Sequence, residues 1–258
     1  MTTIGISLKT YFSHARTLAW AGAVADIARR HPAVLSGAAT LFVAPTFPAL
    51  VPVRDLLAGS GVQLAAQDLG WADDGPFTGE VSGAELHEIG VDLVEIGHAE
   101  RRALFHETDA VVAAKVHAAF RNHLRPLVCV GETTRPSRAD DAATDDAVSD
   151  VTAQLDRALS ESDAAGVTGP LTVAYEPVWA IGAAEPAPDA HVVTVLDRLA
   201  AHLATRPELA GSTVLYGGSA GPGLLTRGHG RIGGLFLGRF AHDPAAVEQV
   251  LDEVLALG

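Results

Sequence analysis

Cysteine occurs once in 258 residues, at Cys129, so the chain cannot form an intrachain disulfide and a reducing cytoplasm is the expected setting. Lysine is nearly as scarce, with only Lys9 and Lys115. Lys plus Arg total 18 against 31 Asp plus Glu, a formal net charge of -13. No run of basic residues exceeds two, so the electrostatic footprint of a nucleic-acid or anionic-membrane partner is missing. No apolar run approaches the ~18 residues of a membrane span, and MTTIGISLKT lacks a basic region followed by an apolar signal core. No Pro-, Gly- or Ser-rich linker divides the chain, so residues 1–258 are expected to form one domain.

What is present is a globular balance, 48% apolar and 19% charged, arranged as short β-type runs alternating with longer helical patterns. The predicted strands are Ile4–Leu8, Thr40–Ala44, Val62–Ala66, Leu93–Ile96, Pro126–Val130, Leu171–Tyr175, Thr213–Tyr216 and Ile232–Leu237. Between them, segments such as ARTLAWAGAVADIARR and AHVVTVLDRLAAHLA repeat apolar residues at three- and four-residue spacing. Eight units in 258 residues average about 32 residues, near the ~30 of a strand–helix–strand unit. An open sheet would need a switch point that the pattern does not show, so the expected fold is α/β, a closed (β/α)8 barrel.

In such a barrel, chemistry gathers at the C-terminal ends of the strands. Lys9 follows the first strand, a compact ammonium in a chain that otherwise chooses arginine; it reads equally as a surface lysine. His98, in EIGHAERR, stands where a strand ends and a helix begins. There it can stay neutral and donate to a carbonyl oxygen, or simply satisfy loop backbone. Glu176 opens a loop, with Pro177 stiffening the backbone behind it; in a dry cleft it suits a general base, and alone it reads as a loop cap. The glycines of YGGSAG and FLGRF are expected to open helices after the last two strands, a phosphate-binding arrangement. Cys129 reads as a packed thiol, Glu132 as a helix-start acid, and Glu100 as a partner for Lys9 or a backbone amine. His98 and His106 lack metal-ligand spacing, so neither a metal nor a cofactor is expected.

Taken together, SLK, EIGHAERR, CVGET, AYEPVWAIG, YGGS and GLFLGR resemble the triosephosphate isomerase family, in order and across the chain from Ile4 to the last helix. The resemblance implies Glu176 as the carbon base, His98 as the neutral electrophile and Lys9 as electrostatic support, with Glu100 and Ser7 assisting. It also implies phosphate binding by Gly182, Ser219, Gly238 and Arg239, a lid hinge at Pro177, Val178 and Trp179, and a homodimer joined through the loop Gln67 to Thr78.

Several residues depart from the family's usual pattern. Ser7 stands where Asn is usual, Ala99 where Ser is usual, AAEPAP where a Thr-Gly-Lys lid tip is usual, and Arg239 where a glycine is usual. With GWADDGPFTGE after the third strand, these resemble the branch that isomerises four-carbon ketose phosphates such as L-erythrulose 1-phosphate. Ordinary triose phosphate isomerisation, a metal-dependent aldolase and a catalytically silent assembly module are the alternatives.

Overall fold

The computed structural model describes residues 1–135, 141–181 and 186–257. Eight parallel strands close in sequence order: β1 Thr2–Ser7, β2 Ala39–Ala44, β3 Gln63–Ala66, β4 Leu93–Ile96, β5 Arg125–Val130, β6 Thr172–Tyr175, β7 Thr213–Tyr216 and β8 Gly234–Leu237. Pairing of β1 with β8, Thr3 opposite Gly234, completes the ring. Closure leaves no edge strand exposed. Each strand predicted from sequence is present.

The Ala-rich patterns form the outer helices, including His14–Arg30, Asp109–Arg121, Asp141–Ala165, Asp189–Ala204 and Pro244–Leu257. Ser13 starts the first of these, its side chain accepting the Arg16 N–H, and Thr108 caps the second in the same way through Val111. The outward residues Ile4, Ile6, Val94, Ile96, Val173 and Tyr175 pack with helix residues such as Trp20, Val24, Val116 and Leu155. The inward residues form a separate core of Phe42, Ala65, Leu93, Leu127, Ala174, Leu215 and Phe236. Large and small side chains interlock there: a Cβ at Gly5 would lie 2.0 Å from the tip of the Phe42 ring, so even alanine is excluded.

Side chains alternate along a strand, and this register carries the interior upward to the site. Beyond Gly5, Leu93, Leu127 and Ala174, the next inward positions are Ser7, Glu95, Cys129 and Glu176. The C-terminal rim is thus polar where the barrel's middle is apolar.

The segments after β7 and β8 differ from expectation. No long helix opens at either glycine cluster: a four-residue helix, Leu224–Arg227, follows β7 at a distance, and a single 3-10 turn, Arg239–His242, follows β8. Gly217, Gly218, Gly221, Pro222 and Gly223 disfavour helix, and Gly223 sits at φ 89.

Candidate active site

Glu176 extends β6 by one inward position, its N–H donating to Val130 O at 2.9 Å. Room for it is made by missing side chains on both neighbours. A Cβ at Gly131 would lie 1.8 Å from Glu176 O, and one at Gly217 would lie 2.6 Å from Glu176 Cγ. The carboxyl is buried, and its Oε2 has no hydrogen-bond partner among the described residues. It comes within 3.3 Å of His98 Nε2 without the alignment of a hydrogen bond. Burial first, then the charge of Glu95, pushes the Glu176 pKa up to about 8, against the pull of Lys9.

His98 is the N-cap of the helix Ala99–Leu104, and its Nδ1 accepts the Glu100 N–H at 3.1 Å. That bond leaves the proton of the neutral ring on Nε2, the nitrogen nearer Glu176. Burial, then the charge of Lys9, lowers the His98 pKa to about 4, with Glu100 opposing. The pair at neutral pH is therefore an imidazole beside a carboxyl, and its attraction is not that of an ion pair.

Lys9 adopts φ 45, a left-handed backbone costing a non-glycine residue roughly 1–2 kcal/mol. Gln67 holds that turn, its side-chain amide donating to Lys9 O at 3.1 Å and Ala44 O at 2.9 Å. The ammonium lies 2.7 Å from Glu100 Oε1. Burial works against its charge, but the Glu100 hydrogen bond and the charges of Glu100, Glu176 and Glu95 hold its pKa above the usual lysine value.

A cavity of about 340 Å³ brings together Ser7, Lys9, His98, Glu100 and Glu176 with Ser219, Gly238 and Arg239 from the loops after β7 and β8. Gly182 lies outside the described residues. Pro177, Val178 and Trp179 are not part of the cavity lining; they run behind it, Val178 N donating to Glu132 O at 3.0 Å.

Glu132 requires a correction. It lies in an irregular segment ahead of the helix Asp141–Ala165 and is a buried acceptor instead of a helix-start acid. Its Oε1 takes hydrogen bonds from Trp179 Nε1 at 2.7 Å and Tyr175 Oη at 3.1 Å, with His191 Nε2 at 3.2 Å. Cys129 is a packed thiol whose pKa is raised well above its usual value, by burial and then by Glu176 and Glu95. It carries no thiolate at neutral pH.

The residue that sequence reasoning missed is Glu95. Its side chain is only 4% exposed, accepts from Ser7 Oγ at 3.1 Å, and is not among the residues lining the cavity. Burial raises its pKa to about 8. The signal was present: an acid inside LVEI, in phase with inward Leu93. Gly131 and Gly217 lay within motifs already noted, CVGET and YGGSAG, but the space they leave for Glu176 was not read from them. Among the described residues no group of three or more His, Cys, Asp or Glu is placed to hold a metal ion, and no helix is long and apolar enough to cross a membrane.

The chain is similar to known proteins in sequence and fold. A family profile described as triosephosphate isomerase matches residues 2–254. A protein of Pectobacterium atrosepticum named L-erythrulose-1-phosphate isomerase is 49% identical over 255 residues, covering 99% of this chain and 96% of that protein. One of the same name from Rhizobium etli is 38% identical over 256 residues, covering 98% and 92%. The crystal structure of triosephosphate isomerase from Bartonella henselae superimposes with a TM-score of 0.79 at 28% identity, over 99% of each chain. With the closed barrel and a buried glutamate facing a neutral histidine at its rim, a match of this extent means that the chain belongs to the triosephosphate isomerase family.

Proposed function

We propose that the chain is a cofactor-free ketose phosphate isomerase whose substrate is a tetrulose phosphate such as L-erythrulose 1-phosphate, and that residues 1–258 form one isomerase domain. The observation that carries the chemistry is the unpaired Glu176 carboxyl 3.3 Å from His98 Nε2 in a cavity shared with Ser219, Gly238 and Arg239. Glu176 removes the proton from the carbon beside the carbonyl. His98, neutral with its proton on Nε2, donates to the substrate oxygens in turn, and the Lys9 ammonium offsets the charge of the enediolate. The proton returns to the adjacent carbon, and the carbonyl has moved by one position. Ser219, Gly238 and Arg239 hold the phosphate; a guanidinium at 239 adds two directed donors. Pro177, Val178 and Trp179 form the hinge of a lid, with the Trp179–Glu132 bond latching the arrangement seen here. The names of the relatives from Pectobacterium atrosepticum and Rhizobium etli favour the four-carbon substrate over a triose phosphate.

Rates on L-erythrulose 1-phosphate and dihydroxyacetone phosphate test the reading, with a higher kcat/KM on the four-carbon substrate expected; turnover of the triose phosphate alone contradicts it. The pH dependence follows from the site. Only the ionised Glu176 accepts a proton, so kcat/KM is expected to climb about fivefold from pH 7 to 8 and to level off about twofold higher above pH 9. His98 remains neutral throughout that interval. Initial rates from pH 7 to 9.5 check this, and a flat profile contradicts the assignment of the base.

The proposal includes a cytoplasmic homodimer joined through Gln67 to Thr78. Arg121 braces that loop, donating to Asp73 Oδ2 at 2.9 Å and Trp71 O at 2.6 Å, while Trp71 and Phe77 are 43% and 38% exposed. A braced loop presenting two exposed aromatic side chains suits a partner's surface. Sedimentation at the mass of two chains is expected, with Trp71→Asp shifting it toward one. Wild-type protein sedimenting as a single chain contradicts it.

A further inference from the structure

Moving a proton between adjacent carbons requires a base, a hydrogen-bond donor and an anion cradle. It does not require a second buried carboxyl beneath them, and burying one is costly unless something uses it. Glu95 is such a group. It faces inward from β4, and Ser7 Oγ, which lines the cavity, lies 3.1 Å from its Oε2. His98 Nε2 is 3.9 Å from Glu95 Oε1, beyond hydrogen bonding. Glu95 therefore meets the cavity through Ser7.

The two candidate substrates differ at the carbon that loses its proton. In dihydroxyacetone phosphate that carbon bears a second hydrogen; in a tetrulose phosphate it bears a hydroxymethyl group. With one bond toward Glu176, one oxygen toward His98 and the phosphate end over the loops after β7 and β8, the remaining bond points away from the phosphate. In a closed barrel of eight strands, β4 lies across from β8. The hydroxymethyl group is thereby directed to the side where Glu95 stands, and Ser7, itself buried, lines the cavity within 3.1 Å of that carboxyl.

We propose that Ser7 and Glu95 are a specificity-determining pair that receives the terminal hydroxyl of a four-carbon ketose phosphate, Ser7 Oγ contacting the substrate while Glu95 fixes its orientation. With the carboxylate ionised, Ser7 donates to Glu95 and accepts from the substrate. With Glu95 protonated, as its raised pKa of about 8 favours, the bond reverses and Ser7 donates. A hydroxyl serves both arrangements. A triose phosphate leaves Ser7 bonded to Glu95 but without the substrate hydroxyl, and sites built to bind a hydroxyl discriminate against analogues lacking it. The inference rests on the tetrulose phosphate reading and names the residues that set it.

The test is the ratio of kcat/KM for L-erythrulose 1-phosphate to that for dihydroxyacetone phosphate in wild-type protein and in Ser7→Ala, Glu95→Leu and Glu95→Gln. A change in Glu176 ionisation acts on both substrates and cancels in the ratio, so a merely structural role leaves it unmoved. The ratio is expected to fall at least about tenfold in Ser7→Ala and Glu95→Leu, chiefly through KM for the tetrulose phosphate, and less in Glu95→Gln, which keeps a partner for Ser7. Should Glu95→Leu fail to fold, Ser7→Ala and Glu95→Gln decide. Ratios within twofold of wild type in every folded variant overturn the pair while leaving the isomerase reading intact. Absence of tetrulose phosphate turnover in wild-type protein overturns that reading and the pair with it.

Discussion

Glu176→Gln is expected to lower kcat by about 10³- to 10⁴-fold while leaving KM within a few-fold of wild type. Glutamine has the shape of glutamate, so it fits the space left open by Gly131 and Gly217 without disturbing β5 or β7. What it lacks is a lone pair basic enough to take a proton from carbon. The proposed phosphate contacts, Ser219, Gly238 and Arg239, lie on other loops and are untouched, so binding is expected to survive. In free energy the loss corresponds to about 4–5.5 kcal/mol of transition-state stabilisation. Replacing a buried ionisable group by a neutral amide should not lower Tm, so thermal unfolding separates lost chemistry from lost fold. Glu176→Asp keeps the carboxylate but withdraws it by about one methylene. A misplacement of about 1 Å costs on the order of 10²-fold, so the shorter acid should fall between the amide and the wild type. Steady-state rates on both substrates check the series, and a Glu176→Gln enzyme within tenfold of wild type contradicts the assignment.

The second large effect is expected at His98, where asparagine is the informative replacement. Asn is a favoured N-cap, so its side-chain oxygen can take over acceptance of the Glu100 N–H from His98 Nδ1 and preserve the start of the helix Ala99–Leu104. The Nε2 donor facing the cavity is then lost alone. Removal of one such donor to a developing oxyanion costs about 10²–10³-fold in kcat, and that loss is expected here with little change in Tm. Because His98 is already neutral above about pH 4, the rise of kcat/KM with pH should persist in the variant at its lower amplitude. Loss of the pH dependence together with activity would contradict the division of labour between Glu176 and His98.

The barrel was legible because its signals are local. Each strand is a short β-type run, and Leu93–Ile96 and Thr213–Tyr216 matched to the residue. Ends shifted by up to two residues where pairing with a neighbour decides them, as when Thr2 joins β1 opposite Ala39. Glu176, His98 and Lys9 stood out because each is a chemically apt residue just past a strand. Glu95 did not, since its meaning depends on inward register and on Ser7, 88 positions away in sequence. Glu132 was misread for the same reason: its partners Tyr175, Trp179 and His191 come from distant segments. The glycines after β7 were read as opening a helix, but Pro222 and the left-handed Gly223 bend that loop away from helix.

The most direct test of proton transfer at Glu176 is isomerisation of L-erythrulose 1-phosphate in D₂O, with deuterium located in the product by mass spectrometry and NMR. A base that removes the proton and returns one to the neighbouring carbon predicts solvent deuterium at that carbon in the wild-type product. Deuterium entering the product of Glu176→Gln at the wild-type rate would contradict the account.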